Sequence, residues 1–203
     1  MKFVYFASPM CSWCWGFSPV MQRLKASFPA NDIRLVLTPF RIDTMQPMDD
    51  ALRNYVLGQW HNVHKATGQP FDFSFAMPID FIYNTRLVCL SIKAFSKQLP
   101  EQELDFLHTL QHAFYTENKD LANEEILIEL TSNYAIDQTL FADDINNNEI
   151  ADELESDFKL CQQLAIQSYP TLMAENDSSY AMLASGYTPY EELVVRIEAS
   201  VTS

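Results

Sequence analysis

Cys11-Ser12-Trp13-Cys14 is the pattern in this chain with the sharpest chemical meaning. Two cysteines three residues apart at a helix start lie about one turn from each other on one side, close enough for a disulfide. Before them, Phe3-Val4-Tyr5-Phe6-Ala7 is a short apolar run rich in β-formers, closed by Ser8-Pro9. After Cys11 the apolar period turns helical, with Phe17, Val20, Met21, Leu24 and Phe28 on one face. The dithiol therefore falls where a strand hands over to a helix. A helix N-terminus offers partial positive charge and free N–H groups, which stabilise a thiolate and depress its pKa. Cys11 is then the nucleophile, and Cys14, one turn inside, resolves a mixed disulfide by intramolecular attack. Half of a zinc site and a purely structural pair are the competing readings. The chain has no second Cys-x-x-Cys, and Cys89 and Cys161 stand alone.

The elements that must position this pair can be read in outline. Pro19 lies inside the first helix and should bend it. Ile33, Leu35, Leu37 and Pro39 alternate with Arg34, Val36 and Thr38, the pattern of a second, well-buried strand. Strand, helix and strand make a right-handed βαβ unit. From Met45 to about Asp144 only helical spacings occur, separated by breaks such as Gly68-Gln69-Pro70 and Asn118-Lys119-Asp120, so a helical insertion is expected. Ile150, Leu154, Phe158, Cys161 and Ala165 predict a long amphipathic helix ending near Ser168. Thr171–Ala174 and Tyr180–Ala184 flank the polar stretch Glu175-Asn176-Asp177-Ser178-Ser179 and read as a β-hairpin. Thr188, Pro189 and Glu191 supply N-cap, N1 and N3 of a last helix that buries Tyr190, Leu193, Val194 and Ile197.

Composition excludes several classes of partner. The chain has 203 residues, 48% hydrophobic and 20% charged, which is ordinary for a globular protein. Its net charge of −14 repels phosphate backbones and anionic headgroups, so neither nucleic acid nor a membrane is an expected partner. The uncharged stretch from Phe3 to Gln22 is interrupted by Ser8, Pro9, Ser12, Gly16, Ser18 and Pro19, unlike a lipid-facing helix. It also lacks the apolar run and cleavage site of a signal peptide. A cytoplasmic chain starting at Met1 is expected, with cysteines kept reduced.

The segment Tyr5-Phe6-Ala7-Ser8-Pro9-Met10-Cys11-Ser12-Trp13-Cys14-Trp15-Gly16-Phe17 resembles the active-site signature of DsbA-like proteins of the thioredoxin superfamily, in their cytoplasmic disulfide-isomerase branch. Asp120 to Leu127 resembles the end of that family's helical insertion, and Tyr169-Pro170-Thr171-Leu172 its cis-proline segment. The resemblance implies an α/β thioredoxin fold with a helical domain inserted after the second strand: residues 1–44 and 145–203 in the thioredoxin-like part and 45–144 in the insertion. It implies a thiol-disulfide oxidoreductase, reductase or isomerase, with Trp13, Tyr169, Pro170 and Thr171 as substrate contacts beside the catalytic Cys11 and Cys14. No cofactor or metal is implied; partners are thiol- or disulfide-containing proteins, or glutathione as co-substrate. A glutathione-dependent isomerase or transferase of small hydrophobic molecules is the alternative, although such relatives usually carry serine where Cys11 stands. A third possibility is a binding module without turnover. The chain departs from the superfamily pattern at Tyr5, where a buried carboxylate commonly serves Cys14, at Ser168, where glycine is common, and in the Ser12-Trp13 pair.

Other signals read as structural. His61 with His64 and His108 with His112 have helix-neighbour spacing that would suit zinc, but no cysteine or carboxylate completes a ligand pattern. Cys89 and Cys161 lie in apolar surroundings and read as buried thiols. Asn84-Thr85 reads as an ordinary helix start.

Overall fold

The structure is a computed structural model that describes residues 2–29, 32–74, 77–78, 80–176 and 179–201. Strand β1 (Lys2–Ala7) leads into helix α1 (Ser12–Ser27) and strand β2 (Ile33–Leu37). Helices α2 (Asp50–Thr67), α3 (Arg86–Gln98), α4 (Glu103–Glu117), α5 (Glu124–Leu130), α6 (Gln138–Ile145) and α7 (Asn148–Gln163) follow, with a 3-10 turn at Pro100–Gln102. Then come β3 (Thr171–Asn176), β4 (Ser179–Ser185) and α8 (Tyr190–Val201). The sheet order is β2-β1-β3-β4. β1 runs parallel to β2 and antiparallel to β3, which is antiparallel to β4. This is a thioredoxin fold with helices inserted after the second strand, as expected.

β1 is apolar without alternation because both of its faces are covered. Phe3, Tyr5 and Ala7 pack with Phe17, Met21 and Leu24 of α1, and Val4 and Phe6 pack with Val36, Met173 and Cys161. The first of these cores is continuous with the inserted helices through residues such as Trp60, Val88, Phe95 and Phe114.

Two contacts lock α1 to the insertion. Pro19 has no N–H to give the Trp15 carbonyl four residues earlier, yet α1 runs through it unbroken. The amide of Gln69 replaces the missing donor, with Nε2 3.0 Å from the Trp15 carbonyl and 3.0 Å from Ser18 Oγ. Gly16 makes the second: a methyl group there would lie 2.7 Å from Val63 Cγ1 and 3.0 Å from Thr67 Cγ2 of α2. A buried ion pair fastens the other side. Lys93 Nζ of α3 lies 2.6 Å from Asp157 Oδ2 of α7, and that carboxylate accepts the Leu37 N–H of β2 at 2.9 Å.

Some boundaries differ from expectation. α7 stops at Gln163 instead of reaching Ser168, because Ala165 takes the left-handed conformation (φ 51°). The Ile166 N–H then bonds the Cys161 carbonyl at 2.9 Å, a helix-terminating turn in which alanine stands where glycine is usual. β2 ends at Leu37, before Thr38 and Pro39, and α8 begins at Tyr190, with the Pro189 carbonyl accepting its first bond from Leu193. In the β3–β4 turn, Asp177 and Ser178 lie outside the described residues.

Candidate active site

Cys11 is the N-cap residue of α1, in extended conformation (φ −91°, ψ 115°), with no side chain capping the helix and no acidic residue in its first turn. The positive end of the helix is thus left unneutralised at the sulfur. Cys11 is 8% exposed and Cys14 fully buried, and both are free thiols. A hydrogen bond from the Cys14 side chain, aided by the backbone N–H groups of Cys14 and Trp13, lowers the Cys11 pKa against the opposing effect of burial. Burial, followed by the hydrogen bond and charge of Cys11, pushes Cys14 well above the ordinary thiol range. The two thiols are thus shifted in opposite directions.

Across from the dithiol, Cys11 Sγ lies 3.9 Å from the Tyr169 carbonyl oxygen, and the Tyr169–Pro170 bond is cis. Gly186, at φ 81°, supports this loop by donating its N–H to the Pro170 carbonyl at 2.7 Å. Tyr169 is half-buried, its ring edge-on to Phe40 at 6.3 Å. Trp13 is half-buried too, with Nε1 donating to Gln59 Oε1 at 3.3 Å and its ring 6.4 Å from Tyr187. Thr171 is 2% exposed, and its hydroxyl donates to the Ser168 carbonyl at 2.8 Å. Its side chain therefore braces the loop rather than presenting a free group.

Several neighbours of the dithiol escaped the sequence reading. Tyr83 donates its hydroxyl to the Met10 carbonyl, and the Arg41 guanidinium lies 5.0 Å from the Tyr83 ring. Tyr115 stacks on Trp15 at 6.1 Å. Burial raises both phenols, and the nearby cysteine charges raise them further. Asn84-Thr85 does more than start a helix. Asn84 Nδ2 donates to the carbonyls of Ile42 (3.1 Å) and Thr44 (2.8 Å), and the Thr85 hydroxyl donates to that of Phe40. The pair ties the loop after β2 to α3. His61 stacks on Phe73 at 4.2 Å, while His108 and His112 flank Trp15 at 5.2 and 6.2 Å. Cys89 and Cys161 are buried, and burial pushes each thiol up to about 12.

Sheet order, helix start and dithiol together define a thioredoxin-fold protein with its cysteines at the first helix. A family model described as thioredoxin matches residues 4–195, and the chain belongs to that family. Among solved structures it is similar to a candidate protein disulfide isomerase from Nitrosomonas europaea, with 31% identity, a TM-score of 0.94 and coverage of 100% of this chain and 98% of that one. The cytosolic disulfide reductase DsbM from Pseudomonas aeruginosa has the same fold at 21% identity, with a TM-score of 0.80 over 100% of this chain and 99% of that one. The ClpXP adapter protein SpxH of Bacillus subtilis (strain 168) is 22% identical over 205 residues, 96% of this chain. The chain spans 66% of that relative's length. Among the described residues, no helix is long and apolar enough to cross a membrane.

Proposed function

We propose that this protein is a thiol-disulfide reductase or isomerase in which Cys11 attacks a substrate disulfide and Cys14 resolves the intermediate. The observation that carries this reading is the opposed tuning of the two thiols, Cys11 at the bare N-terminus of α1 and Cys14 buried behind it. In the first step the Cys11 thiolate displaces one substrate sulfur, which leaves as a thiolate. In the second, Cys14 loses its proton and attacks Cys11 Sγ, releasing the other substrate sulfur and closing the Cys11–Cys14 disulfide. Trp13, Tyr169, Pro170 and the backbone of Thr171 form the surface that receives the substrate, a protein disulfide or a mixed disulfide of glutathione. A cytoplasmic location fits a dithiol regenerated by cellular thiols, and DsbM, of the same fold, is named as a cytosolic reductase and also has a structure with glutathione.

A second reading, an adapter that binds proteins without turnover, draws on the similarity to SpxH. One experiment separates them. Cys14→Ser, purified from cells, should carry covalently trapped partners on Cys11 that dithiothreitol releases, and the Cys11→Ser, Cys14→Ser double variant should lose all reductase activity. An empty Cys11, with cellular function retained by the double variant, would favour the adapter.

A further inference from the structure

Arg41 stands in the wall of the site with its donors unused. It is half-buried in the loop after β2, and its Nε is buried without a hydrogen-bond partner. Among the described residues, no hydrogen bond or ion pair engages its guanidinium. Every other arginine of the chain lies within 4.0 Å of a carboxylate. Asp43, the acid nearest to Arg41 in sequence, turns to Arg86 at 3.5 Å instead. Arg41 Cζ lies 5.4 Å from the Phe40 ring centre and 5.0 Å from that of Tyr83. Attraction to the two rings offsets part of the cost of burying the charge, but it supplies no acceptor for the N–H groups. A buried donor left unpaired calls for an explanation, and a partner that arrives with the substrate is one.

Two paths tie this cation to the dithiol. Tyr83 donates its hydroxyl to the carbonyl of Met10, the residue before Cys11. Phe40 stands edge-on to Tyr169, whose carbonyl oxygen is 3.9 Å from Cys11 Sγ. On both paths a single aromatic side chain separates the guanidinium from the residues that touch or adjoin Cys11. The loop that carries Arg41 is held in place. Its backbone sits at φ 56°, in the left-handed region that few residues other than glycine adopt, and the Thr44 N–H closes a turn on its carbonyl at 3.4 Å. Asn84 Nδ2 clamps the same loop through the carbonyls of Ile42 and Thr44.

We propose that Arg41 is the specificity residue of this site, binding a carboxylate of the substrate, and that the substrate is a small disulfide carrying such a carboxylate. The assignment rests on the dithiol reading above. A guanidinium matches a carboxylate with two parallel N–H···O bonds, which gives the disulfide one orientation as Cys11 attacks it. Charge argues for a small molecule over an acidic protein. With a net charge of −14 the chain repels an acidic macromolecule over its whole surface. Charges more than about 8 Å away are largely screened at physiological salt, so a small ligand seated at Arg41 responds chiefly to that cation.

The test compares glutathione disulfide with its tetraethyl ester, which has the same disulfide and no carboxylate. Reduced protein is mixed with each, quenched in acid at intervals, and its oxidation followed by mass to give two second-order rate constants. Arg41→Gln should lower the ratio of the glutathione-disulfide constant to the ester constant about tenfold or more, since a charged hydrogen-bonded pair is lost with one substrate only. Arg41→Lys, which keeps the charge without the planar fork, should fall between. A ratio in Arg41→Gln within about twofold of the wild-type ratio overturns the proposal, whether both rates hold or both fall. If Arg41→Gln fails to fold by circular dichroism, Arg41→Asn, a residue that takes left-handed backbone more readily, is read in the same way. A wild-type protein oxidised by neither compound would instead refute the dithiol mechanism itself.

Discussion

At Cys11 the helix start and the burial pull the thiol in opposite directions, and hydrogen bonds from the first turn decide the outcome for the thiolate. At Cys14, three residues on, burial wins. The sign for chemical labelling follows directly. Only the thiolate alkylates, so Cys11 should react with iodoacetamide well below the pH of an unperturbed thiol, about 8.5, and Cys14 should lag well above it. Cys89 and Cys161, each raised to about 12, should label only after unfolding. Peptide mass mapping against pH checks all four sites, and equal, slow labelling of Cys11 and Cys14 would contradict the assignment.

Among the elements, α1 is the one whose neighbours constrain it most. Gly16→Ala should gain up to about 1 kcal/mol of helix propensity but push a methyl into Val63 and Thr67 of α2, and overpacking of this kind costs about 1–3 kcal/mol. The net expectation is a lower urea midpoint with an unchanged slope; a raised midpoint would show that α2 gives way freely. Local pattern made β1, α1, β2 and the hairpin legible, because their apolar periods are those of the faces they bury. The end of α7 was illegible: Ala165 carries no turn signal, and its left-handed backbone is enforced by the Ile166 bond to Cys161. Tyr83 and Tyr115 were illegible as site residues, since each is one aromatic among many in a helical insertion. The bond from the Thr171 hydroxyl to the Ser168 carbonyl was illegible too, since it depends on how the loop before β3 folds back on the strand.

Over the whole molecule, the insertion is joined to the sheet through charges as well as apolar surface. Lys93, Asp157 and Arg34 lie near Glu103, whose carboxyl is raised to about 7, by burial first and by Asp157 after it, against Lys93, Ser96 and Arg34. Because the folded value exceeds the unfolded one, Glu103 contributes stability that is fully present below about pH 4.5 and is lost as pH rises through about 7. Glu103→Gln should therefore gain melting temperature relative to the wild type at about pH 8 and gain much less at about pH 5. An equal gain at both would show that this carboxyl titrates normally. The tie between Gln69 and the Trp15 carbonyl has a further consequence, for recombination among homologous genes. A helical cassette cannot be exchanged freely while this chain's first 44 residues are kept. A donor cassette with an amide at position 69 keeps the Trp15 carbonyl satisfied, whereas one without it leaves the recipient's first helix with an orphaned carbonyl. Residues 19 and 69 should thus be inherited as a pair, and chimeras that separate them should be selected against even when every cysteine is retained.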